Sequence, residues 1–114
     1  MTYATLSADR EHFDQTLLDS IENAVSSVLG EPAVKSLFIS LENCVGLTRN
    51  EIPRRPDLFF NTIEQIFGPT IGKAVGGVII KVLYLKLGLE FDDGSDKMPL
   101  DYVKDARRKL GLKN

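Results

Sequence analysis

The sequence predicts an all-α fold, a compact bundle of four main helices with a short C-terminal helix. Three observations support this. Apolar residues recur at spacings of three and four along most of the chain. Gly30, Gly46, Gly68, Gly88 and Gly111 stand at the ends of these segments, where a left-handed conformation closes a helix. The length of 114 residues fits one domain.

The first helix is predicted over residues 10–29, after a loose N-terminus at residues 1–9. Ser7 or Asp9 would cap it, because short oxygen-bearing side chains accept hydrogen bonds from the free amides of the first turn. Its apolar residues share one face, which we expect to be buried. That face consists of Phe13, Leu17, Leu18, Ile21, Ala24, Val25, Val28 and Leu29.

The second helix is predicted to begin at Glu31-Pro32, because proline fits the first helical turn, and to end at Gly46. Cys44 lies near its apolar stripe, and we expect it to be a buried structural cysteine. The stripe consists of Val34, Leu37, Phe38, Leu41 and Val45.

The connector that follows contains a capping-box pattern, with Thr48 three residues before Glu51. Ile52-Pro53 comes directly afterwards, and the proline limits any helix here to a single turn. Pro56 then opens the third helix.

The third and fourth helices are predicted on either side of Gly68, the fourth over residues 69–87. The fourth is apolar nearly all round, so we expect it to be central or to have two partners. A strand is the rival interpretation, because residues 78–83 are rich in β-branched side chains and residues 85–91 alternate. No other segment alternates well enough to pair with such a strand, so helix is favoured.

The bundle domain, residues 1–91, is followed by a polar linker at residues 92–98 and a basic helix within residues 99–114 of the same domain. The linker carries oxygens suited to a hard cation, but it lacks the ligand order of a calcium loop. A solvated linker is therefore favoured. Whether the last helix packs on the bundle is left open by the sequence.

Composition argues against an enzyme, and no metal or cofactor is predicted. His12 is the only histidine and Cys44 the only cysteine, so a multi-histidine metal site and an internal disulfide are both excluded. A glycine-rich phosphate loop is absent. Lysines interrupt the most apolar segment, and the N-terminus has no apolar signal region. We therefore expect a cytoplasmic protein that does not insert in membranes.

The fourth helix contains Gly72, Gly76 and Gly77, each of which costs roughly 1 kcal/mol in a helix relative to alanine. Glycines four apart let another helix approach closely. One interpretation is close packing within the monomer. The other is self-association, in which the three glycines, with Ile80 and Tyr84 off the main buried face, form a two-fold contact between chains. Both interpretations stay open.

Basic residues form one cluster in the connector and another in the last helix, although the chain has a net charge of −2. Such clusters can contact a partner or phosphate groups, but a solvated face is their more common role. The second cluster also suits the negative end of a helix dipole. The predicted partner or phosphate contacts are Arg49, Arg54, Arg55, Lys104, Arg107, Arg108 and Lys109.

Short motifs follow one another over residues 11–91: LFISLEN at 37–43, EIP at 51–53, IEQIFG at 63–68, IIKVLY at 79–84 and LGL at 87–89. In this order they resemble a small archaeal family, the Nitrososphaera output domain of the fifth type. The resemblance implies an all-helical signalling output or interaction module with no established chemistry. The three glycines of the fourth helix and the tail from Asp92 depart from the family pattern.

Three functional hypotheses follow. The first is a non-enzymatic signalling or regulatory interaction module that forms a homodimer and binds an unidentified protein. The second is a nucleic-acid-associated regulator that uses Arg49, Arg54, Arg55 and the basic last helix, although the acidic balance and the lack of interleaved aromatic residues disfavour it. The third is an apolar-ligand pocket beneath the fourth helix.

Overall fold

The computed structural model of the chain describes residues 2–92 and 97–112, with side chains from Arg10 onward. Within these residues the fold is all-α, as predicted, and has no strand. The predicted helices are joined by a short 3-10 helix in the connector. The elements are α1 (Thr2–Leu29), α2 (Glu31–Val45), the 3-10 helix (Arg49–Arg54), α3 (Pro56–Phe67), α4 (Pro69–Leu87) and α5 (Pro99–Lys109). None of the described helices is long and apolar enough to cross a membrane.

α1 begins at Thr2, so the predicted loose N-terminus with a cap at Ser7 or Asp9 is wrong. No glycine or proline stands between residues 2 and 29 to interrupt the helix. The predicted buried face is confirmed from Phe13 to Val25, whereas Val28 and Leu29 in the last turn are exposed.

α2 ends at Gly46, which has the expected left-handed φ of 67°. Cys44 is exposed, so the prediction of a buried structural cysteine is wrong. The buried side chains of this helix are Leu37 and Leu41 alone, and Cys44 lies to one side of that line in the last turn. α2 therefore covers the core with a narrower stripe than its apolar pattern predicts.

The connector is closed at its start by hydrogen bonds of its own and is anchored to the core by buried side chains. The Glu51 carboxylate accepts hydrogen bonds from the Thr48 backbone N–H at 3.2 Å and from the Thr48 hydroxyl at 2.6 Å. Ile52 is fully buried in the common core and Pro53 is buried beside it. The predicted limit of one turn is wrong, because the 3-10 helix has six residues and continues through Pro53 to Arg54. It adds the Ile52 side chain to the core.

α4 is a helix up to Leu87 and closes at Gly88 with φ 70°, so the rival strand interpretation is wrong. It makes its most extensive contact with α1 and also packs on α3 and α5. The predicted buried face included Leu85 and left out Ile80 and Tyr84. It is wrong at these positions, because Ile80 and Tyr84 are 1% exposed while Leu85 is 79% exposed. The buried residues are Gly72, Val75, Gly76, Ile79, Ile80, Leu83 and Tyr84.

Two glycines of α4 explain this orientation. A Cβ atom built on Gly72 would lie 2.6 Å from Glu64 Cα, so α3 and α4 touch backbone to backbone at this point. A Cβ on Gly76 would lie 3.2 Å from Pro99 Cγ of α5. Close packing within the monomer is therefore the correct interpretation at both positions.

The predicted self-association surface is consequently wrong at Gly72, Gly76, Ile80 and Tyr84, which the chain buries in its own core. Gly77 is the exception, because a Cβ at this position would have no neighbour within 4 Å.

α5 packs on the bundle through Tyr84. The Tyr84 hydroxyl lies 2.9 Å from the Tyr102 carbonyl oxygen and 2.9 Å from Asp105 Oδ2, so its one proton is shared between two acceptors on α5. Burial, followed by the bond to Asp105, raises the pKa of Tyr84 above its ordinary range. The Tyr84 ring meets the Tyr102 ring edge-on at a centroid distance of 5.8 Å. Residues 99–109 are thus part of the folded domain.

We predict that alanine at two glycines of α4 changes the free energy of unfolding in opposite directions. Gly72→Ala forces α3 and α4 apart and is expected to lower the free energy of unfolding by about 1–3 kcal/mol. Gly77→Ala adds a methyl group in open space and is expected to raise it by up to about 1 kcal/mol, because alanine favours helix. Urea denaturation measures both. Equal effects of the two variants would contradict the α3–α4 contact.

Candidate interaction surfaces

The structure separates the seven predicted basic contacts into paired and unpaired groups. In the connector, Arg49 forms an ion pair with Glu22 of α1 at 3.0 Å, and its guanidinium lies 5.8 Å from the centroid of the Phe38 ring. Arg49 therefore ties the connector to α1 and α2. Arg55 pairs with Asp57 at 3.4 Å.

In α5, Asp105 forms ion pairs with two of the predicted contact residues. Lys109 Nζ lies 3.1 Å from Asp105 Oδ2, and Arg108 lies 3.9 Å from the other carboxylate oxygen. Burial alone would raise the pKa of Asp105, but the hydrogen bonds from Tyr84 and Lys109 outweigh it and lower the pKa. Lys104 is exposed on the same helix.

The two remaining predicted contacts, Arg54 and Arg107, meet at one place. They line a cleft of about 510 Å³ at which α1, the 3-10 helix and the C-terminal end of α5 converge. Arg10 of α1 is a third guanidinium at this cleft. We call it the arginine cleft; its lining residues are Arg10, Phe13, Asp14, Pro53, Arg54, Arg107 and Leu112.

Arg107 is held rigidly in the arginine cleft. Its guanidinium donates a hydrogen bond to the Pro53 carbonyl oxygen and lies 5.2 Å from the centroid of the Phe13 ring. The residue is half-buried, and burial lowers the pKa of its guanidinium, while Asp14 opposes that shift. Arg107 thereby joins α5, the connector and α1.

Among the residues whose side chains the structure describes, Asp14 is the one carboxylate that lines the arginine cleft. Burial raises its pKa above 3.8, although Arg107, Arg10 and Arg54 all act to lower it. In the described part of the chain, none of these guanidiniums lies at ion-pair distance from the Asp14 carboxylate. The cleft therefore carries an excess of positive charge.

Sequence reasoning missed Arg10 because acidic residues flank it on both sides, at Asp9 and Glu11. It joins the other two arginines only when α5 and the connector pack against α1. Arg10, Arg54 and Arg107 are far apart in the sequence, so no local pattern predicts that all three line one cleft.

A second surface lies on the open side of α4. Leu85 is 79% exposed and Ile71 is 45% exposed, and both belong to a continuous apolar row along the helix. We call this row the α4 stripe; it consists of Ile71, Ala74, Val78, Val82 and Leu85. The successive spacings are three, four, four and three, so the pattern reads the same in both directions from Val78.

A groove of about 540 Å³ between α3, α4 and α5 is where the structure offers room for the apolar ligand of the third hypothesis. Gly77 opens onto it, and Phe60, Ile80 and Tyr102 form part of its wall. Ligand binding there stays a prediction.

Metal binding has little support in the described residues. No group of three or more His, Cys, Asp or Glu side chains is placed there to hold a metal ion. His12 is exposed and does not line the arginine cleft. The oxygen-rich stretch considered for a cation in the linker lies mostly at residues 93–96, outside the described residues.

Comparison with known proteins identifies no relative: no family model, no curated protein and no solved structure matches the chain. The resemblance to the Nitrososphaera output domain therefore stays a prediction.

The raised pKa of Asp14 predicts a pH-dependent effect of Asp14→Asn. The folded state holds the Asp14 proton more tightly than the unfolded state, so the wild type loses stability as the pH rises from about 3.8 through the folded pKa. The free energy of unfolding of Asp14→Asn, relative to wild type, should therefore increase over this window. Urea denaturation at a series of pH values measures the difference.

Asp105→Asn is the matched control, because the pKa of Asp105 is lowered in the fold. Its ionised form stabilises the folded state, so the variant should lose stability relative to wild type as the pH rises. Slopes of the same sign for the two variants would contradict the environments described for these carboxylates.

Proposed function

We propose that this chain is a non-enzymatic, cytoplasmic interaction module of the signalling or regulatory class that works as a homodimer. The observation that carries the proposal is the α4 stripe, an apolar row in which Ile71, Ala74 and Leu85 are exposed and Val78 and Val82 are half-buried. Apolar rows of this kind on a domain surface are typical of interaction sites. The resemblance to an archaeal output domain is consistent with the same class.

A second copy of this chain is the occupant that the α4 stripe fits best. A two-fold axis through Val78 would place Ile71 opposite the Leu85 of the other copy and Ala74 opposite its Val82. Spacings of three and four place all five side chains on one face of the helix. Because the pattern is symmetric about Val78, an antiparallel pair of α4 helices would match apolar residue to apolar residue along the whole stripe.

The nucleic-acid alternative has weaker support. Arg49, Arg55, Arg108 and Lys109, which it would use, pair with carboxylates of this chain. Nucleic-acid binding is typical of basic residues clustered on one face. These four residues are instead distributed over the connector and α5, and the net charge is −2.

Two aspartate variants on α4 distinguish the open face from the buried one. Leu85→Asp changes an exposed residue, so the chain should stay folded, within about 0.5 kcal/mol of wild type, and become monomeric. Ile80→Asp places an unpaired charge in the core and should unfold the chain at a cost of about 4 kcal/mol or more. Light scattering over a range of protein concentrations and circular dichroism measure mass and folding.

The wild type should show a mass that rises with concentration towards twice 12.7 kDa, because a seam this short gives a weak dimer. A wild-type monomer at all concentrations, or a Leu85→Asp variant that still dimerises, would contradict the proposed interface.

Cysteine crosslinking tests the antiparallel register directly. In a Cys44→Ser background, Val78→Cys places two thiols at the proposed two-fold axis, where a disulfide between chains can form. Val82→Cys is the matched control, because its two copies would lie about 12 Å apart along the helices at 1.5 Å per residue. Oxidation followed by non-reducing electrophoresis should therefore yield a dimer band for Val78→Cys and little for Val82→Cys. Equal crosslinking of the two variants would rule out this register.

A further inference from the structure

We propose that the arginine cleft binds a phosphate-class dianion. This inference does not depend on the homodimer, because the arginine cleft and the α4 stripe share no residue. It names a ligand chemistry for Arg54 and Arg107, two of the residues predicted as partner or phosphate contacts, and adds Arg10.

The charge at the cleft suits such a ligand. Arg10, Arg54 and Arg107 supply three positive charges, and Asp14 supplies one carboxylate. A dianion would therefore neutralise the excess charge. Guanidinium groups hold phosphate oxygens with paired, charge-assisted hydrogen bonds, which makes arginine the favoured residue for this task.

The availability of these donors distinguishes the cleft from the other basic residues. Arg10 and Arg54 make no ion pair in the described part of the chain, whereas Arg49, Arg55 and Lys109 each do. Arg107 uses a hydrogen bond to the Pro53 carbonyl to fix its position. A guanidinium has five N–H donors, so most of those on Arg107 remain for a ligand.

The position of Arg107 also lowers the cost of binding. Its contacts with Pro53 and the Phe13 ring fix the guanidinium before a ligand arrives, so little side-chain entropy is lost at this residue. Arg10 and Arg54 are exposed and can close on the ligand from the other two elements. The half-buried Asp14, whose pKa is raised by burial, is the repulsive group that limits affinity.

Titration of the full-length protein with inorganic phosphate at low salt tests the proposal. The Nε–Hε signals in the NMR spectrum report which arginines respond. Saturable shifts are expected for Arg10, Arg54 and Arg107. Arg54→Ala and Arg10→Ala should each weaken binding by about tenfold, because a hydrogen bond to a charged group is worth about that factor.

The matched controls change the same charges elsewhere. Lys104→Ala removes an exposed cation of α5 outside the cleft and should leave the affinity for phosphate unchanged. Asp14→Asn should strengthen binding, whereas Asp19→Asn, on the same helix but outside the cleft, should have no effect. Arg107 is left intact because it also holds α5 in place.

Absence of saturable binding, or an equal loss in Arg54→Ala and Lys104→Ala, would overturn the proposal. Phosphoserine should compete with inorganic phosphate, whereas a single-stranded oligonucleotide should not. An oligonucleotide that binds more tightly and loses affinity equally in all lysine and arginine variants would instead favour the nucleic-acid hypothesis. The monomeric Leu85→Asp variant should bind phosphate as the wild type does, so failure of the dimer and failure of the cleft are distinguishable.

Discussion

The contact between Gly72 and the backbone of α3 is the constraint on which the rest of the fold depends. An added Cβ would lie 2.6 Å from Glu64 Cα, so α4 can only lie this close to α3 with glycine at the contact. This approach requires the glycine-bearing face of α4 to lie towards its neighbours. It directs Ile80 and Tyr84 into the core and leaves Ile71 and Leu85 outside.

The rotation of α4 then determines where α5 lies. With Tyr84 facing inward, its hydroxyl reaches acceptors at Tyr102 and Asp105, and the missing side chain of Gly76 leaves room for Pro99. An isolated helix of 11 residues is only marginally stable in water, so α5 depends on these contacts. Once α5 is docked, Arg107 reaches the Pro53 carbonyl and the arginine cleft is complete. One backbone contact thus positions both the open α4 stripe and the arginine cleft.

Local signals in the sequence predicted the helices, apart from the start of α1, but not which face of α4 is buried. Gly46 and Gly88 end α2 and α4 with left-handed φ values, as their positions predict. The burial of α4 was mispredicted because the helix carries two apolar rows with the same period, and bulk alone favours the row that contains Leu85. The buried row contains Gly72 and Gly76. These glycines are needed because α3 and α5 approach α4 closely at these positions, which the sequence of α4 alone does not show.

The arginine cleft was predictable only in part. Arg54 and Arg107 belong to clusters that are visible in the sequence, but Arg10 lies among acidic neighbours, and nothing local relates it to the other two. Arg49 is the opposite case. It belongs to a basic cluster that is visible in the sequence, but in the fold it forms an ion pair with Glu22 of α1. Charge clusters in a sequence do not reveal which members find partners after folding.

The rotation of α4 is tested most directly by nuclear Overhauser contacts from the Tyr84 ring, measured with isotope filtering on a mixture of labelled and unlabelled chains. The structure predicts contacts with the rings of Phe91 and Tyr102 within the same chain, at centroid distances of 5.6 and 5.8 Å. Contacts from Tyr84 to a second chain, or the absence of any contact with Tyr102, would show that α4 buries its other face and would contradict this account.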